Sequence, residues 1–371
     1  MLKKHDHLRA EYRLTVSRRG KKRVTIISRE SNSKTLDIRL LEQELQGRGI
    51  EIRTLTRLLT KEKSLKALGY IGHMMKQAAS MIDSDVVVMD TYIIPVSMLP
   101  HRKGLTTVQM WHALSAVKKF GWQTVGLADG SSERTARLMK MHNGYDHVVC
   151  CSDITAEHFS EAFRVSRDKI VKLGLPRIDY IKRVALGSER EETAARIRER
   201  YPQLAGDKKV ILYAPTFHKG KPVDVAGLAA AIDPDRYDLV VKLHPIDRAS
   251  NEEVRGENII YDAEFRSYDW LSVADIVISD YSSLVVEATL ADKPLYLYTY
   301  DIDSYMQTTG LNMDFSSEPI APYVFTDPAK LAAALEQPYD KEALRAFRDR
   351  YIDIDTENCT AALADFIERL I

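Results

Sequence analysis

A chain of 371 residues exceeds what one hydrophobic core usually organises, so two domains are expected. Hydrophobic residues make up 45% and charged residues 29%, the balance of a soluble globular protein, and a formal net charge of zero excludes a global electrostatic case for nucleic acid. No run approaches the ~18 apolar residues of a membrane-spanning helix, the first residues lack the apolar core of a signal peptide, and Cys150, Cys151 and Cys359 make neither a zinc pattern nor a disulfide framework, which suits a reducing cytosol.

Charge is uneven locally. The start of the chain carries Lys3, Lys4, Arg9, Arg13, Arg18, Arg19, Lys21, Lys22 and Arg23 against Asp6 and Glu11. Strand-like runs then alternate with helical runs, the pattern of an α/β fold with a mainly parallel sheet. Strands are predicted over 23–28, 50–55, 85–89, 106–110, 147–151 and 170–173, with helices over 34–46 and 154–163. Between 55 and 82, apolar residues recur at helical spacing among Arg57, Lys61, Lys63, Lys66 and Lys76. Such a basic amphipathic helix suits an anionic membrane surface. It equally suits a helix that packs its apolar face on the sheet. Gly69 and Gly72 predict a break into two pieces.

Val108-Gln109-Met110-Trp111-His112-Ala113 puts a histidine just past a strand end, with Lys118 and Lys119 downstream. A neutral imidazole can take a proton from a hydroxyl near neutral pH, although a lone histidine is as often structural. No metal-ligand spacing, Walker loop, Gly-x-Gly-x-x-Gly or Gly-x-Ser-x-Gly occurs, which disfavours P-loop phosphotransfer, dinucleotide oxidoreduction and serine hydrolysis.

A charged helix over 189–200 separates the halves. The second half has strands over 209–214, 239–243, 259–261, 276–278 and 294–298, and a closing helix over 357–370. Three of these strands deliver Thr216, His218, Lys242, His244, Ser282 and Ser283 at their carboxyl ends, the edge where open parallel sheets bind ligands. Asp280, Ser282 and Ser283 also suit the N-cap of a helix reaching about Ala291. The N–H groups of a helix's first turn lack intrahelical partners, and hydroxyls beside them seat a phosphate. Together these strand ends suggest an anion-binding crevice for a nucleotide diphosphate.

The ordered set Gln109-Met110-Trp111-His112-Ala113 with Lys118-Lys119-Phe120-Gly121, Gly174-Leu175-Pro176-Arg177-Ile178-Asp179, Tyr213-Ala214-Pro215-Thr216-Phe217, Lys242-Leu243-His244-Pro245, Ser279-Asp280-Tyr281-Ser282-Ser283 and Lys293-Pro294 followed by Tyr298-Thr299-Tyr300-Asp301 and Tyr305 resembles the CDP-glycerol:poly(glycerophosphate) glycerophosphotransferases of teichoic-acid priming and polymerisation. The resemblance runs from about residue 85 to about 320. It departs where Phe217 is followed by His218 instead of arginine, and where Pro322-Tyr323-Val324 replaces a Pro-Gly.

The resemblance implies a GT-B fold: an acceptor-binding, membrane-facing domain over 1–185, a CDP-alcohol-binding domain over 186–350, and a C-terminal helix over 351–371 packing back on the first. It implies transfer of glycerol phosphate from CDP-glycerol to a hydroxyl of an undecaprenyl-diphosphate-linked saccharide acceptor, releasing CMP, with no cofactor and no bound metal. His112 would be the base. Lys242, His244, Ser282 and Ser283 would hold the pyrophosphate, Glu287 the ribose hydroxyls, with Thr216, His218 and Asp280 completing the donor set. Lys118 and Arg177 would serve the acceptor or other contacts. The expected location is the cytoplasmic face of the cell membrane, as a peripheral protein in contact with anionic lipid, with a homo-oligomer as an option.

CDP-ribitol is the main alternative donor, since the two polyols differ only in length beyond the phosphate. With no large appended module, the chain suits a primase better than a polymerase. A nucleotide-sugar glycosyltransferase or epimerase of the same fold, and a non-catalytic membrane-associated nucleotide binder, are the competing readings. The pairing of Trp111-His112 with Asp280-Tyr281-Ser282-Ser283 argues against the first of these.

Overall fold

The computed structural model describes residues 22–59, 65–216, 222–243 and 254–371. Strands β1 (Arg23–Ser28), β2 (Glu51–Thr56), β3 (Val86–Met89), β4 (Thr106–Gln109), β5 (His147–Cys150) and β6 (Ile170–Lys172) form one sheet in the order β2-β1-β3-β4-β5-β6. Strands β7 (Lys209–Tyr213), β8 (Tyr237–Val241), β9 (Ile259–Tyr261), β10 (Ile276–Ser279), β11 (Leu295–Tyr298) and β12 (Val324–Phe325) form a second, in the order β12-β11-β10-β7-β8-β9. Every pairing in both sheets is parallel. Central strands such as Val86–Met89 and Ile276–Ser279 are buried at every position. Helices cover both faces of a parallel sheet, so its strands read as unbroken apolar runs.

Each sheet reverses its strand order once. In the first, the chain leaves β1 for β2 on one side and returns to β3 on the other. In the second, β8 and β9 lie on one side of β7, with β10 and β11 on the other. The carboxyl ends of β1 and β3, and of β7 and β10, are therefore the places where crevices open.

Helix Pro176–Ala185 joins the two halves. It packs against helix Leu36–Gly47 of the first half and against Ser267–Trp270 and Ala288–Ala291 of the second. Leu175, Ile178 and Ile181 share one buried cluster with Val24 and Val86 on one side and Trp270 and Leu290 on the other. The closing helix, Cys359–Arg369, crosses back as expected. Asp179 accepts hydrogen bonds from the Cys359 N–H (2.9 Å) and the Thr360 N–H (2.8 Å) at its start. Arg48 pairs with Asp365 and Glu368 along its length.

One expectation fails. Residues Leu65–Ile82 form a single helix rather than two pieces. Each glycine costs a helix about 1 kcal/mol, but tertiary packing outweighs it: His73, Gln77, Ser80 and Met81 are buried against the rest of the domain. Gly69 lies against the end of the Arg57 side chain. The Arg57 guanidinium donates to its carbonyl at 2.8 Å, and a β-carbon there would lie 2.8 Å from Arg57 Nη2.

Candidate active site

A cleft of about 870 Å³ lies between the sheets, lined from the first by Glu30, Trp111, His112, Lys118 and Lys119 and from the second by Thr216, Lys242, Asp262, Tyr268, Ser282, Ser283 and Glu287. It opens where the strand-order reversals place it.

His112 follows β4. The Gln109 side chain steers this turn, donating to the Thr91 carbonyl (3.0 Å) and accepting from the Trp111 N–H (2.8 Å). Trp111 sits at φ +59°, a left-handed conformation that is uncommon for a bulky residue. This backbone reversal stacks its indole on Phe120 (4.7 Å) and against the His112 ring (4.2 Å). His112 Nδ1 lies 2.9 Å from the Asp90 carbonyl oxygen. A carbonyl can only accept, so Nδ1 carries the proton and Nε2 is the free lone pair. Burial lowers the His112 pKa below the ordinary histidine value, and the nearby Glu30 carboxylate offsets part of that. The Asp90 carboxyl, wholly buried at the end of β3, is pushed up to about 7 by the same loss of solvent. Asp90 did not stand out in the sequence. The strand-end argument applied to Val86-Val87-Val88-Met89-Asp90 is the signal that reaches it.

Across the cleft, β7 and β10 are tied together by Asp280. Its carboxylate accepts from the Thr216 N–H (2.8 and 2.9 Å) and the Ser282 N–H (3.2 Å). Asp280 is fully buried and lies behind the wall, shaping the two loops instead of facing the cleft. The helical run after it reaches Ala291 as expected, as an α-helical turn, Leu284–Glu287, followed by a 3-10 turn, Ala288–Ala291. Three of its first-turn donors are engaged. The Leu284 N–H bonds to Ser282 Oγ (3.3 Å), and the Val285 and Val286 N–H groups to the Ser282 and Ser283 carbonyls (3.2 and 3.1 Å). Toward the cleft this end of the helix presents Ser282 and Ser283.

Lys242 also departs from expectation. Its ammonium donates to the Asp262 carboxylate (2.7 Å), the Asp262 carbonyl (3.1 Å) and the Phe265 carbonyl (2.6 Å), which uses all three protons. Burial alone would raise the Asp262 carboxyl. Hydrogen bonds from Lys242, Trp270 and Tyr201 outweigh it and hold the group at about 2. Lys242 thus braces the 262–266 loop. His218 and His244 lie outside the described residues.

Glu287 faces the cleft from a buried position, its two oxygens held by the Arg177 guanidinium (2.7 Å) and the Tyr268 hydroxyl (2.8 Å). Arg177 itself stands behind Glu287, outside the cleft lining. Its Nε donates to Asp37 Oδ2 at 2.8 Å and its backbone N–H to Asp37 Oδ1 at 2.7 Å. A carboxylate has about four acceptor positions, so Glu287 keeps capacity for hydroxyl donors.

Two parallel α/β sheets facing one cleft, with the closing helix returned to the first half, define a GT-B protein. Consistent with this, the wall teichoic acid polymerase TagF superposes with a TM-score of 0.71 at 20% identity, over 94% of this chain and 88% of that one. UDP-GlcNAc 2-epimerase from Neisseria meningitidis superposes at 0.56 with 14% identity, over 94% and 99%. The chain belongs to the CDP-Glycerol:Poly(glycerophosphate) glycerophosphotransferase family, whose pattern matches residues 10–369. It is 29% identical to the teichoic acid ribitol-phosphate primase of Bacillus spizizenii over 317 residues, 81% of this chain and 79% of that protein. It is also 29% identical to the teichoic acid glycerol-phosphate primase of Bacillus subtilis over 306 residues, 81% and 77% respectively.

Proposed function

We propose that the protein transfers glycerol phosphate from CDP-glycerol to a hydroxyl of a teichoic-acid acceptor and releases CMP. The observation that carries this reading is the free Nε2 of His112 in the same cleft as the Ser282 and Ser283 hydroxyls and the Glu287 carboxylate. Nε2 takes the acceptor's hydroxyl proton. The oxygen bonds to the glycerol-bearing phosphorus, the bond from that phosphorus to the bridging oxygen breaks, and CMP leaves with the electron pair. Ser282 and Ser283 hydrogen-bond the diphosphate, and Glu287 accepts from the ribose hydroxyls. Fixed donors aimed at developing negative charge are the largest common contribution to such catalysis.

Ribitol phosphate is the second reading, because a ribitol-phosphate and a glycerol-phosphate primase match at the same identity. CMP release from CDP-glycerol and from CDP-ribitol, each with a short-chain lipid-linked disaccharide, tests both. Acceptor-dependent CMP from CDP-glycerol is expected. CMP from CDP-ribitol alone would reassign the donor, and none from either would overturn phosphotransfer.

The proposed acceptor is lipid-linked, and the first domain would meet it at an anionic membrane surface. No described helix is long and apolar enough to cross a membrane. The outer face of helix Leu65–Ile82 nevertheless exposes Ile71 (55%), Met75 (68%) and Ile82 (45%) on one stripe, beside exposed Lys76. The opposite face packs inward, which leaves this stripe as the part that would meet lipid. Lys61 and Lys63 lie outside the described residues. Ile71→Glu with Met75→Glu should weaken sedimentation with phosphatidylglycerol vesicles while sparing activity on a soluble acceptor. Unchanged sedimentation would leave the stripe without a lipid role.

A further inference from the structure

Among the described residues two of the cleft's lysines, Lys118 and Lys119, make no ion pair, and of these Lys119 is exposed while Lys118 is half-buried. Lys242 is neutralised by Asp262 at 2.7 Å, and Arg266 has Asp269 at 3.9 Å. Lys118 has neither kind of partner. Among the described residues no carboxylate oxygen comes within 4.0 Å of its Nζ. The ammonium touches Thr216 Oγ1, a neutral hydroxyl, and lies 5.5 Å from the centre of the Tyr305 ring. Burial lowers its pKa, while the Asp280 carboxylate behind the wall acts the other way. An ammonium held partly out of water with no carboxylate in contact is costly. A protein keeps one where a ligand supplies the missing charge.

The position is also built, since the second domain clamps the backbone around Lys118. The Lys119 N–H donates to the Gly310 carbonyl (3.0 Å), Asn312 Nδ2 to the Lys118 carbonyl (3.1 Å), and the Asn312 N–H to the Val117 carbonyl (2.9 Å). The side chain therefore starts from a fixed point and reaches across to Thr216 at the β7 carboxyl end, where β7 and β10 part.

We propose that Lys118, supplied by the first domain, is the cation that pairs with the diphosphate of the nucleotide donor, a place the sequence pattern had suggested for Lys242. The assignment rests on the reading that this cleft takes a nucleoside diphosphate-linked alcohol. Its consequence is that the donor's phosphates bridge the two domains: Ser282 and Ser283 approach from one side and Lys118 from the other. Charge building on the departing CMP oxygen is then met by a cation that is already in place.

The test titrates CDP-glycerol, inorganic pyrophosphate and cytidine into the wild type, Lys118→Gln and Lys118→Arg. Lys118→Gln should bind CDP-glycerol and pyrophosphate roughly 10- to 100-fold more weakly, the range of a charge-assisted hydrogen bond, and cytidine equally well. Lys118→Arg should recover part of the loss. Because the variant removes an uncompensated charge, its unliganded melting temperature should equal or exceed that of the wild type. A lower melting temperature with pyrophosphate affinity within twofold would make Lys118 a structural residue and overturn the proposal, as would wild-type binding of neither anion. If the wild type binds pyrophosphate but not CDP-glycerol and Lys118→Gln loses pyrophosphate, the anion site stands and the nucleotide reading falls.

Discussion

His112→Ala should reduce acceptor-dependent CMP release by about 10²–10⁴-fold, the contribution of a positioned general base, while CDP-glycerol affinity stays within about twofold. The Asp90 carbonyl fixes the proton on Nδ1, so Nε2 is already the lone pair that a hydroxyl can address. The stack of Trp111 on Phe120 keeps the ring from turning away. The sign of the pH dependence follows from the lowered pKa. Only the neutral imidazole can accept a proton, and burial favours that form. The acid limb of kcat/KM should therefore fall below the ordinary histidine value of about 6.5, and His112→Ala should lose that limb. Loss of donor binding in a folded His112→Ala protein would remove the base assignment, because the residue would then be holding the donor.

How much of this could be read in the chain depended on how local each cause is. Parallel strands covered on both faces leave apolar runs, so β3, β7 and β10 were legible within a residue or two, as was the strand end that carries His112. What escaped were partners distant in sequence. Lys242 at a strand end looks like a phosphate clamp until Asp262, twenty residues on, takes its charge. Asp280 looks like a cap residue beside a ligand, yet its carboxylate is committed to the Thr216 N–H, 64 residues away. Gly69 reads as a helix break because nothing nearby shows the burial of His73, Gln77 and Met81 that keeps the helix whole. The left-handed turn at Trp111 has no sequence signal at all, since neither glycine nor asparagine marks it.

Arg177→Ala should destabilise the protein by about 3–5 kcal/mol, the range for removing one partner of a buried ion pair. The loss would exceed that of an ordinary surface bridge, because Arg177 serves two carboxylates. Asp37 is 1% exposed and Glu287 2%, so neither carboxylate is solvated enough to stand without its partner. Asp37 belongs to the first domain and Glu287 to the second, so the same guanidinium also joins the domains at the floor of the cleft. One consequence separates this from simple loss of packing. Arg177→Lys keeps the charge but cannot donate in both directions from one planar group, so it should fall between wild type and alanine. Urea titrations of wild type and both variants would measure this. An Arg177→Lys protein as stable as wild type would show that charge alone, without the two-way fork, holds the two carboxylates. Because Glu287 is aimed by Arg177 and Tyr268 together, Arg177→Lys should raise the KM for the nucleotide donor more than it lowers kcat; a pure kcat effect would place Glu287 outside donor binding.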